Sequence, residues 1–238
     1  MQNPGIRAAR AMRETYMLSM RQLRVSLCSV VTTFCVVAAG SAPAQEYVPI
    51  NLQLLTAARA GDQAGVERLL GDGAAINSRN RLGETPLLIA IKRSHDAMAK
   101  WLLEHGADVG QASLVGITPL MAAAFDGKTD LARMLLERGA DPAAVDRVHK
   151  PAMVYAAGNG HTAIVALLLE RGVAVNQRYP GELTALMWAA GFDHAETAEL
   201  LLARGADASL RDDRGWTAAQ QARANGHETI AARLEAPR

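Results

Sequence analysis

The sequence predicts an all-α solenoid of stacked repeats, because three short patterns recur in it at a fixed step of 33 residues. The triplet Thr-Pro-Leu at 85–87 returns at 118–120, and Gly-Ala-Asp at 106–108 returns at 139–141 and at 205–207. Leucine pairs keep the same step, at 69–70, 102–103, 135–136, 168–169 and 201–202. A constant period of about 20–50 residues is the signature of a stacked-repeat protein.

Each recurring residue suits one place in a pair of helices. Pro86 fits the first position of a helix, where its missing N–H costs nothing. Ala90 and its counterparts let neighbouring helices approach closely, and the leucine pairs form the buried face of a second helix. Glycines such as Gly106 then end that helix in a left-handed conformation. The residues expected to cap the first helices are Thr85, Thr118, Thr184 and Thr217.

The pattern resembles the ankyrin repeat, which shares the Thr-Pro-Leu opening, the Gly-His step and the Gly-Ala-Asp close. The resemblance covers about residues 50–235 and implies an ankyrin-repeat solenoid of helix-turn-helix units with protruding loops. We divide it into an N-terminal cap at 50–79, full repeats at 80–112, 113–145, 146–178 and 179–211, and a C-terminal cap at 212–238.

The two ends of the array differ from its middle. Arg68 and Arg233 stand where interior repeats carry an apolar residue, and Glu235 replaces a leucine. Terminal repeats need a polar outer face because nothing stacks on them. We therefore expect these three side chains to be exposed, and the apolar residues at the corresponding interior positions to be buried. Those residues are Trp101, Met134, Leu167 and Leu200.

Residues 1–44 are expected to be a secretory signal peptide. Arg21 and Arg24 precede an apolar run at 25–40, and Ala-Pro-Ala at 42–44 offers a small-residue cleavage site. Cleavage after Ala44 would leave 45–49 as a short linker. The run is shorter than the roughly 20 residues of a membrane span.

Two details of this segment stay open. Translation could begin at Met17 or Met20 rather than Met1, which would give a signal of ordinary length. The segment could also remain as an uncleaved membrane anchor. Both cysteines, Cys28 and Cys35, lie within it, so residues 45–238 can form neither a disulfide nor a thiolate metal site.

Charge and motif content argue against nucleic-acid binding, metal binding and catalysis. Residues 45–238 have 20 basic and 23 acidic side chains, a net charge of −3, whereas nucleic-acid binding usually needs a basic face. No nucleophile elbow, phosphate-binding loop or His-Glu-x-x-His motif occurs. The recurring histidines fall in successive layers rather than around one ion, and we expect them to be structural caps: His95, His161, His194 and His227.

The binding surface is expected at the loop tips and first-helix ends, which vary between repeats while the scaffold positions hold. Aromatic anchors beside arginines are typical of protein interfaces. We take Phe125 and Phe192 as equivalent positions two repeats apart. Ile117, Leu183 and Trp216 are equally consistent with exposure and with packing on the next loop. The candidate partner-binding residues are Arg81, Leu82, Lys92, Arg93, Leu114, Val115, Phe125, Asp126, Arg147, His149, Asn159, Tyr179, Phe192 and Arg214.

The third full repeat departs from the pattern. Pro151 replaces the capping threonine, and His149 stands where the loop glycine is expected. Loss of a hydroxyl cap costs about 1 kcal/mol. Adaptation to a partner and neutral drift both remain possible explanations.

These observations favour a non-catalytic protein-binding module without cofactors, monomeric, and periplasmic or secreted. The signal and the Ala/Arg-rich composition favour a Gram-negative bacterium. Once the signal is cleaved, no membrane contact is expected. Two alternatives are a membrane-tethered structural adaptor, with residues 25–40 kept as an anchor, and a secreted effector that acts on a host protein.

Overall fold

The computed structural model describes residues 48–236, which form the all-α repeat array that the 33-residue period predicts. Twelve α-helices and no strand occur in this range. Within it, none of the helices has the length and apolar character needed to cross a membrane. The predicted signal peptide at 1–44 lies outside the described residues, as does the start of the linker at 45–49.

The helices alternate between a first and a second helix in each unit. The first helices are α1 (Ile50–Ala60), α3 (Pro86–Lys92), α5 (Pro119–Phe125), α7 (Ala152–Gly158), α9 (Ala185–Gly191) and α11 (Ala218–Ala224). The second helices are α2 (Gln63–Gly71), α4 (Asp96–Glu104), α6 (Thr129–Glu137), α8 (Thr162–Glu170), α10 (Ala195–Ala203) and α12 (Glu228–Glu235). A single 3₁₀ turn, Pro180–Glu182, precedes α9.

The predicted threonine caps are confirmed. Thr85 Oγ1 accepts the N–H of Leu88 at 3.2 Å, and Thr118 does the same for Met121. Thr184 and Thr217 also cap their helices through the hydroxyl oxygen. Helix α7, in contrast, begins after Pro151 with no side-chain cap. From α3 onwards the first helices have only seven residues, too few to persist alone in water, so they depend on stacking.

The core repeats from layer to layer. From α3 onwards the recurring alanines of the first helices are completely buried, as are the first leucines of most pairs in the second helices. Successive first helices pack more closely on one another than successive second helices do. The array therefore curves with its first helices on the concave side. The fully buried residues at these two positions include Ala90, Ala123, Ala156, Ala189, Leu102, Leu135, Leu168 and Leu201.

The polar ends of the array are where the sequence predicts them, but the residues at the equivalent interior positions are less buried than expected. Arg68, Arg233 and Glu235 are exposed, and Leu167 is buried. The prediction of burial was wrong for three residues, which are only half-buried: Trp101, Met134 and Leu200. They lie on the second helices, where the wider spacing leaves side chains partly open. Trp101 stacks on His105 of its own unit instead, with ring centroids 3.7 Å apart.

Candidate protein-binding surface

Five short loops project before the first helices, and we call them fingers 1 to 5: residues 80–84, 113–117, 146–150, 179–183 and 212–216. Each finger is closed by a hydrogen bond from its first N–H to its fifth carbonyl, at 3.1 Å between Asn80 N and Glu84 O. In finger 1 the Asn80 Oδ1 also accepts two backbone N–H groups, from Leu82 and Glu84. Asp146 and Asp212 do the same in fingers 3 and 5. The fingers are therefore internally braced.

Backbone hydrogen bonds also join neighbouring fingers. Leu114 N donates to Leu82 O at 2.9 Å, and Arg147 N donates to Val115 O at 3.0 Å. Asp213 N donates to Gly181 O at 3.1 Å. The equivalent donor between fingers 3 and 4 would be residue 180, which is a proline without an N–H. The row of fingers thus divides into fingers 1–3 and fingers 4–5.

Close approach between fingers explains why glycine is needed in the first two. A Cβ on Gly83 would lie 2.9 Å from Leu114 N, and one on Gly116 would lie 2.9 Å from the Cα of Asp146. Both glycines also have positive φ. His149, which stands at the position of the loop glycine, adopts the same left-handed conformation, with φ 61°. Its Cβ is tolerated where no backbone hydrogen bond draws finger 4 towards finger 3.

Six side chains from finger 3, from helices α5, α7 and α9 and from the residue after α9 form one group. Phe125 and Tyr155 contact edge to face, with ring centroids 6.1 Å apart. Trp188 and Phe192 stack at 5.9 Å, and the Lys150 ammonium lies 4.8 Å from the centre of the Trp188 ring. The Tyr155 hydroxyl donates to Oδ2 of the buried Asp146. We call this group the concave cluster: Phe125, Asp146, Lys150, Tyr155, Trp188 and Phe192.

The concave cluster holds one cation between a carboxylate and an aromatic face. Burial lowers the pKa of Lys150, and the negative charge of Asp146 opposes that change. The ammonium position over Trp188 is a cation–π arrangement, which contributes about 0.5–2 kcal/mol depending on desolvation. Because Phe125, Phe192 and Lys150 are half-buried, the site can offer a partner both aromatic surface and a positive charge.

Glu84 and Lys92 form an internal ion pair at the first-helix end of finger 1. Burial alone would raise the pKa of Glu84, but hydrogen bonds from Lys92 and Asn80 together with the Lys92 charge bring it below its ordinary value. Lys92, a candidate partner-binding residue, is therefore already engaged by its own repeat.

The structure divides the candidate residues by exposure. Those exposed are Arg81, Leu82, Arg93, Leu114, Val115, Arg147, His149 and Arg214. Those half-buried are Lys92, Phe125, Asp126, Asn159 and Phe192. Arg214 pairs with Asp212 at 2.6 Å and lies 4.7 Å from the centre of the Trp216 ring.

Tyr179 corrects the expectation of an exposed loop tip, because it is buried with 9% of its surface accessible. It occupies the first finger position, where the side chain turns inward, as Asp146 and Asp212 do. Burial raises the pKa of its hydroxyl. Ile117 and Leu183 are buried too, so these two side chains pack in the interior rather than being exposed. Trp216 is half-buried.

The equivalence of Phe125 and Phe192 was also wrong. Phe125 is the last residue of α5, whereas α9 ends at Gly191 and Phe192 follows it. The two phenylalanines are one residue further apart than two periods. Each ring contacts its own aromatic partner, so they lie in one cluster without sharing a repeat position.

Tyr155 and Trp188 were not predicted from the sequence as part of this cluster, and both are buried beneath the half-buried phenylalanines, with 4% and 6% of their surface accessible. They share one position in the middle of the first helix, where other full repeats have Ile89 and Ala122. A repeat pattern assigns that position to the core. The available signal was the change from an aliphatic to a large polar-edged aromatic residue in two successive repeats.

The recurring histidines connect repeats rather than capping their own helices, which corrects the capping prediction. Their helices show no side-chain cap hydrogen bond. Instead, His161 Nε2 lies 3.0 Å from Phe125 O and His194 Nε2 lies 3.1 Å from Gly158 O. His95 contacts Arg59 O in the same way. Between residues 48 and 236, no group of three or more potential ligands could hold a metal ion.

Comparison with known proteins identifies the repeat type. The family model described as Ankyrin repeats (3 copies) matches residues 54–146 and 153–235. No curated protein matches the chain. Ankyrin repeats generally act as protein–protein interaction modules and are typically non-catalytic. The two matched segments span most of the helical array, and the chain belongs to the ankyrin-repeat family.

Proposed function

We propose that this protein is exported to the periplasm and binds a protein partner there on the concave face of its array, without catalysing a reaction. The family supports the general role, since ankyrin repeats usually bind proteins. The array supports the mode of action, because stacked repeats provide an extended surface built from equivalent positions.

The concave cluster is the observation that carries this proposal. The ring contact of Phe125 with Tyr155 and the cation–π contact of Lys150 with Trp188 join side chains of three successive repeats. Beside them, Asn159 Nδ2 donates to Tyr155 O at 2.8 Å, which fixes a polar group next to the rings. A few aromatic anchors usually dominate the binding energy of a protein interface. A partner that crosses this face would meet the half-buried rings of Phe125 and Phe192, which the buried rings of Tyr155 and Trp188 support from beneath.

Export is supported by the sequence of residues 1–44. A basic stretch, an apolar run and a small-residue site occur there in the order of a secretory signal. The absence of cysteine from residues 45–238 fits a chain whose stability does not depend on the redox state of its compartment. We further propose that the exported chain acts as a monomer and contacts neither nucleic acid nor cofactor, given its net charge of −3.

Comparative capture from a periplasmic extract tests the binding proposal. The double variant Phe125→Ala, Phe192→Ala should retain at least about tenfold less of the captured partner than the wild type, measured by quantitative mass spectrometry. Trp101→Ala is the matched control, because Trp101 is a half-buried aromatic residue on a second helix. It should capture as the wild type does.

Thermal unfolding separates binding from folding. The double variant should unfold close to the wild-type temperature, because both phenylalanines are only half-buried. Early unfolding of the double variant would assign the rings to the scaffold. Undiminished capture by a well-folded double variant would contradict binding through the concave cluster.

A further inference from the structure

A row of exposed apolar side chains runs along the tips of fingers 1–3. The exposed fractions are 55% for Leu82, 62% for Leu114, 39% for Val115 and 57% for Val148. These are four of the seven large apolar side chains that are exposed between residues 48 and 236. Single exposed hydrophobic residues are ordinary, whereas a contiguous patch marks an interaction site. We call these four residues the tip ridge.

Backbone hydrogen bonds make the tip ridge contiguous. The bond from Leu114 N to Leu82 O places the tips of fingers 1 and 2 side by side, and the bond from Arg147 N to Val115 O does the same for fingers 2 and 3. The ridge stops where this bonding stops, because the second and third residues of finger 4 are Pro180 and Gly181. Fingers held in this way lose little conformational entropy when a ligand binds, which favours affinity.

The charge beside the tip ridge has one sign. Arg81 and Arg147 are exposed on fingers 1 and 3. The only carboxylates of fingers 1–3, Glu84 and Asp146, are buried and engaged by their own repeats. Fingers 4 and 5 differ, since they carry exposed acidic residues. A ligand on the ridge therefore meets apolar surface bordered by cations.

Arg147 is already oriented towards the ridge. One of its terminal nitrogens donates to Leu114 O at 3.0 Å. A guanidinium has five N–H donors, so most of this group's donors remain for a second acceptor. Arginine binds a carboxylate through two parallel hydrogen bonds, with both charge and geometric specificity.

We propose that the tip ridge binds an acidic, amphipathic segment of the protein partner. Apolar side chains of that segment pack on Leu82, Leu114 and Val115, and its carboxylates pair with Arg81 and Arg147. This inference rests on the proposed protein-binding function and adds a second contact region, separate from the concave cluster. The charge pattern favours a protein segment over a lipid surface, because polybasic membrane sites usually carry about 4–8 clustered Lys and Arg residues. Two-fold pairing of two ridges would place arginines against arginines.

Peptide display on the purified full chain tests the inference with a defined probe, a library of random peptides about 16 residues long. The enriched sequences should combine apolar residues with Asp and Glu and should carry net negative charge. Affinity of the most enriched peptide, measured by fluorescence anisotropy, should fall at least about tenfold for Leu114→Ser and for Arg81→Glu with Arg147→Glu, which is about 1.4 kcal/mol each. The charge-reversed protein should instead enrich basic peptides.

Two variants provide matched controls. Leu52→Ser changes a leucine of α1 that is 52% exposed and lies outside the fingers. Arg171→Glu reverses the charge of an exposed arginine at the end of α8. Both should bind the peptide as the wild type does, and all variants should keep the wild-type unfolding temperature.

Other outcomes overturn the inference and identify what replaces it. Peptide binding could instead be lost in the Phe125→Ala, Phe192→Ala variant and unchanged in Leu114→Ser. That result would support binding at the concave cluster and contradict binding at the tip ridge. A failure to enrich any peptide would remove the ridge as a segment-binding surface, while the capture experiment still decides the proposed function. Dimerisation abolished by Leu114→Ser would make a second copy the occupant. If the chain binds phosphatidylglycerol vesicles and the arginine changes abolish that binding, the ligand of the ridge would be a lipid surface.

Discussion

The ring of His161 lies directly over Gly127 of the preceding repeat. A Cβ added to Gly127 would be 2.6 Å from both Cε1 and Nδ1 of that ring, closer than side-chain atoms normally approach. From this position His161 Nε2 reaches Phe125 O at 3.0 Å. The glycine of one repeat and the histidine of the next therefore form a single inter-repeat contact.

The same relationship recurs at the two other turn glycines that are followed by a further repeat. A Cβ on Gly61 would meet His95, and one on Gly160 would meet His194. The turn residue is Ser94 in the first full repeat, and the corresponding partner in the next repeat is Lys128 rather than histidine. Where the turn residue carries a side chain, the histidine contact over it is absent or changed.

Asp193 is the second exception, and it changes the contact rather than removing it. His227 does follow it one repeat later, and the two side chains pair, with 3.8 Å between His227 Nδ1 and Asp193 Oδ2. Asn225 Nδ2 then donates to Gly191 O at 2.8 Å, a carbonyl like the one that His194 contacts one repeat earlier. The last inter-repeat junction thus keeps a link to that carbonyl through a different side chain.

Gly127→Ala should destabilise the array more than Gly139→Ala. Both glycines have left-handed φ, 71° and 84°, so both changes carry the backbone cost of about 1–2 kcal/mol. Gly139 has open space at its Cβ, whereas Gly127 has the His161 ring. We expect Gly127→Ala to cost about 1–2 kcal/mol more in the free energy of unfolding, as overpacking does. Urea denaturation provides the measurement.

Repeating the two glycine changes in a His161→Ala background isolates the contact between residue 127 and the His161 ring. In that background the difference between the two glycine variants should nearly vanish, because the ring that a Cβ would strike is gone. A difference that persists without the ring would show that backbone strain alone explains the cost at Gly127.

The parts of this molecule that follow from local rules could be predicted from its sequence. The threonine caps and the conformation of His149 depend on residues within a few positions, and the repeat period aligns those positions. The bond from Tyr155 to Asp146 could not be predicted in the same way, since it joins two positions that vary between repeats. Its counterpart in the C-terminal cap, from Gln221 Nε2 to Asp212 at 2.9 Å, uses a different donor.

The interruption of the finger row at Pro180 could be predicted from the sequence only in part. The missing N–H is visible in the sequence, but its consequence requires knowing that residue 147 bonds to residue 115 of the preceding finger. The burial of Tyr179 likewise depends on the inward direction of the first finger position, which no periodicity reports.

Tyr155→Phe should lower the free energy of unfolding by about 1–3 kcal/mol, because it leaves a buried carboxylate with one hydrogen bond fewer. Asp146 is buried, and its Oδ1 already accepts the N–H groups of Val148 and Lys150 at 2.9 Å each. The phenyl ring preserves the contact with Phe125, so the change acts on the hydroxyl alone. Chemical denaturation measures it.

Asp146→Asn in the Tyr155→Phe background gives the matching check. Loss of the buried negative charge removes the need for the hydroxyl donor, so part of the stability lost in Tyr155→Phe should return. A wild-type value for Tyr155→Phe alone would contradict a structural role for this hydrogen bond.

Pro151→Thr should stabilise the third full repeat relative to Pro151→Ala by about 1 kcal/mol, the usual value of a hydroxyl cap. Pro151 has φ −86° and ψ 176°, close to the −86° and 165° of the capping Thr85. A threonine hydroxyl there can accept the N–H of Val154, which takes the place that Leu88 has in the first full repeat. Both variants lose the rigidity of proline equally, so their difference reports the cap. Equal melting temperatures for the two variants would rule out capping at this helix.

The exported protein is expected to begin at Gln45. Small residues at Ala42 and Ala44 follow the apolar run at 25–40, which is the order that a signal-processing enzyme requires. Intact mass of protein purified from the periplasm should therefore equal that of residues 45–238. Ala44→Trp places a large residue at the cleavage site and should keep the apolar run attached, with the product retained in the membrane fraction. A wild-type chain that also stays in that fraction with residues 25–40 intact would instead support the membrane-tethered adaptor. The concave cluster and the tip ridge would then act next to a bilayer.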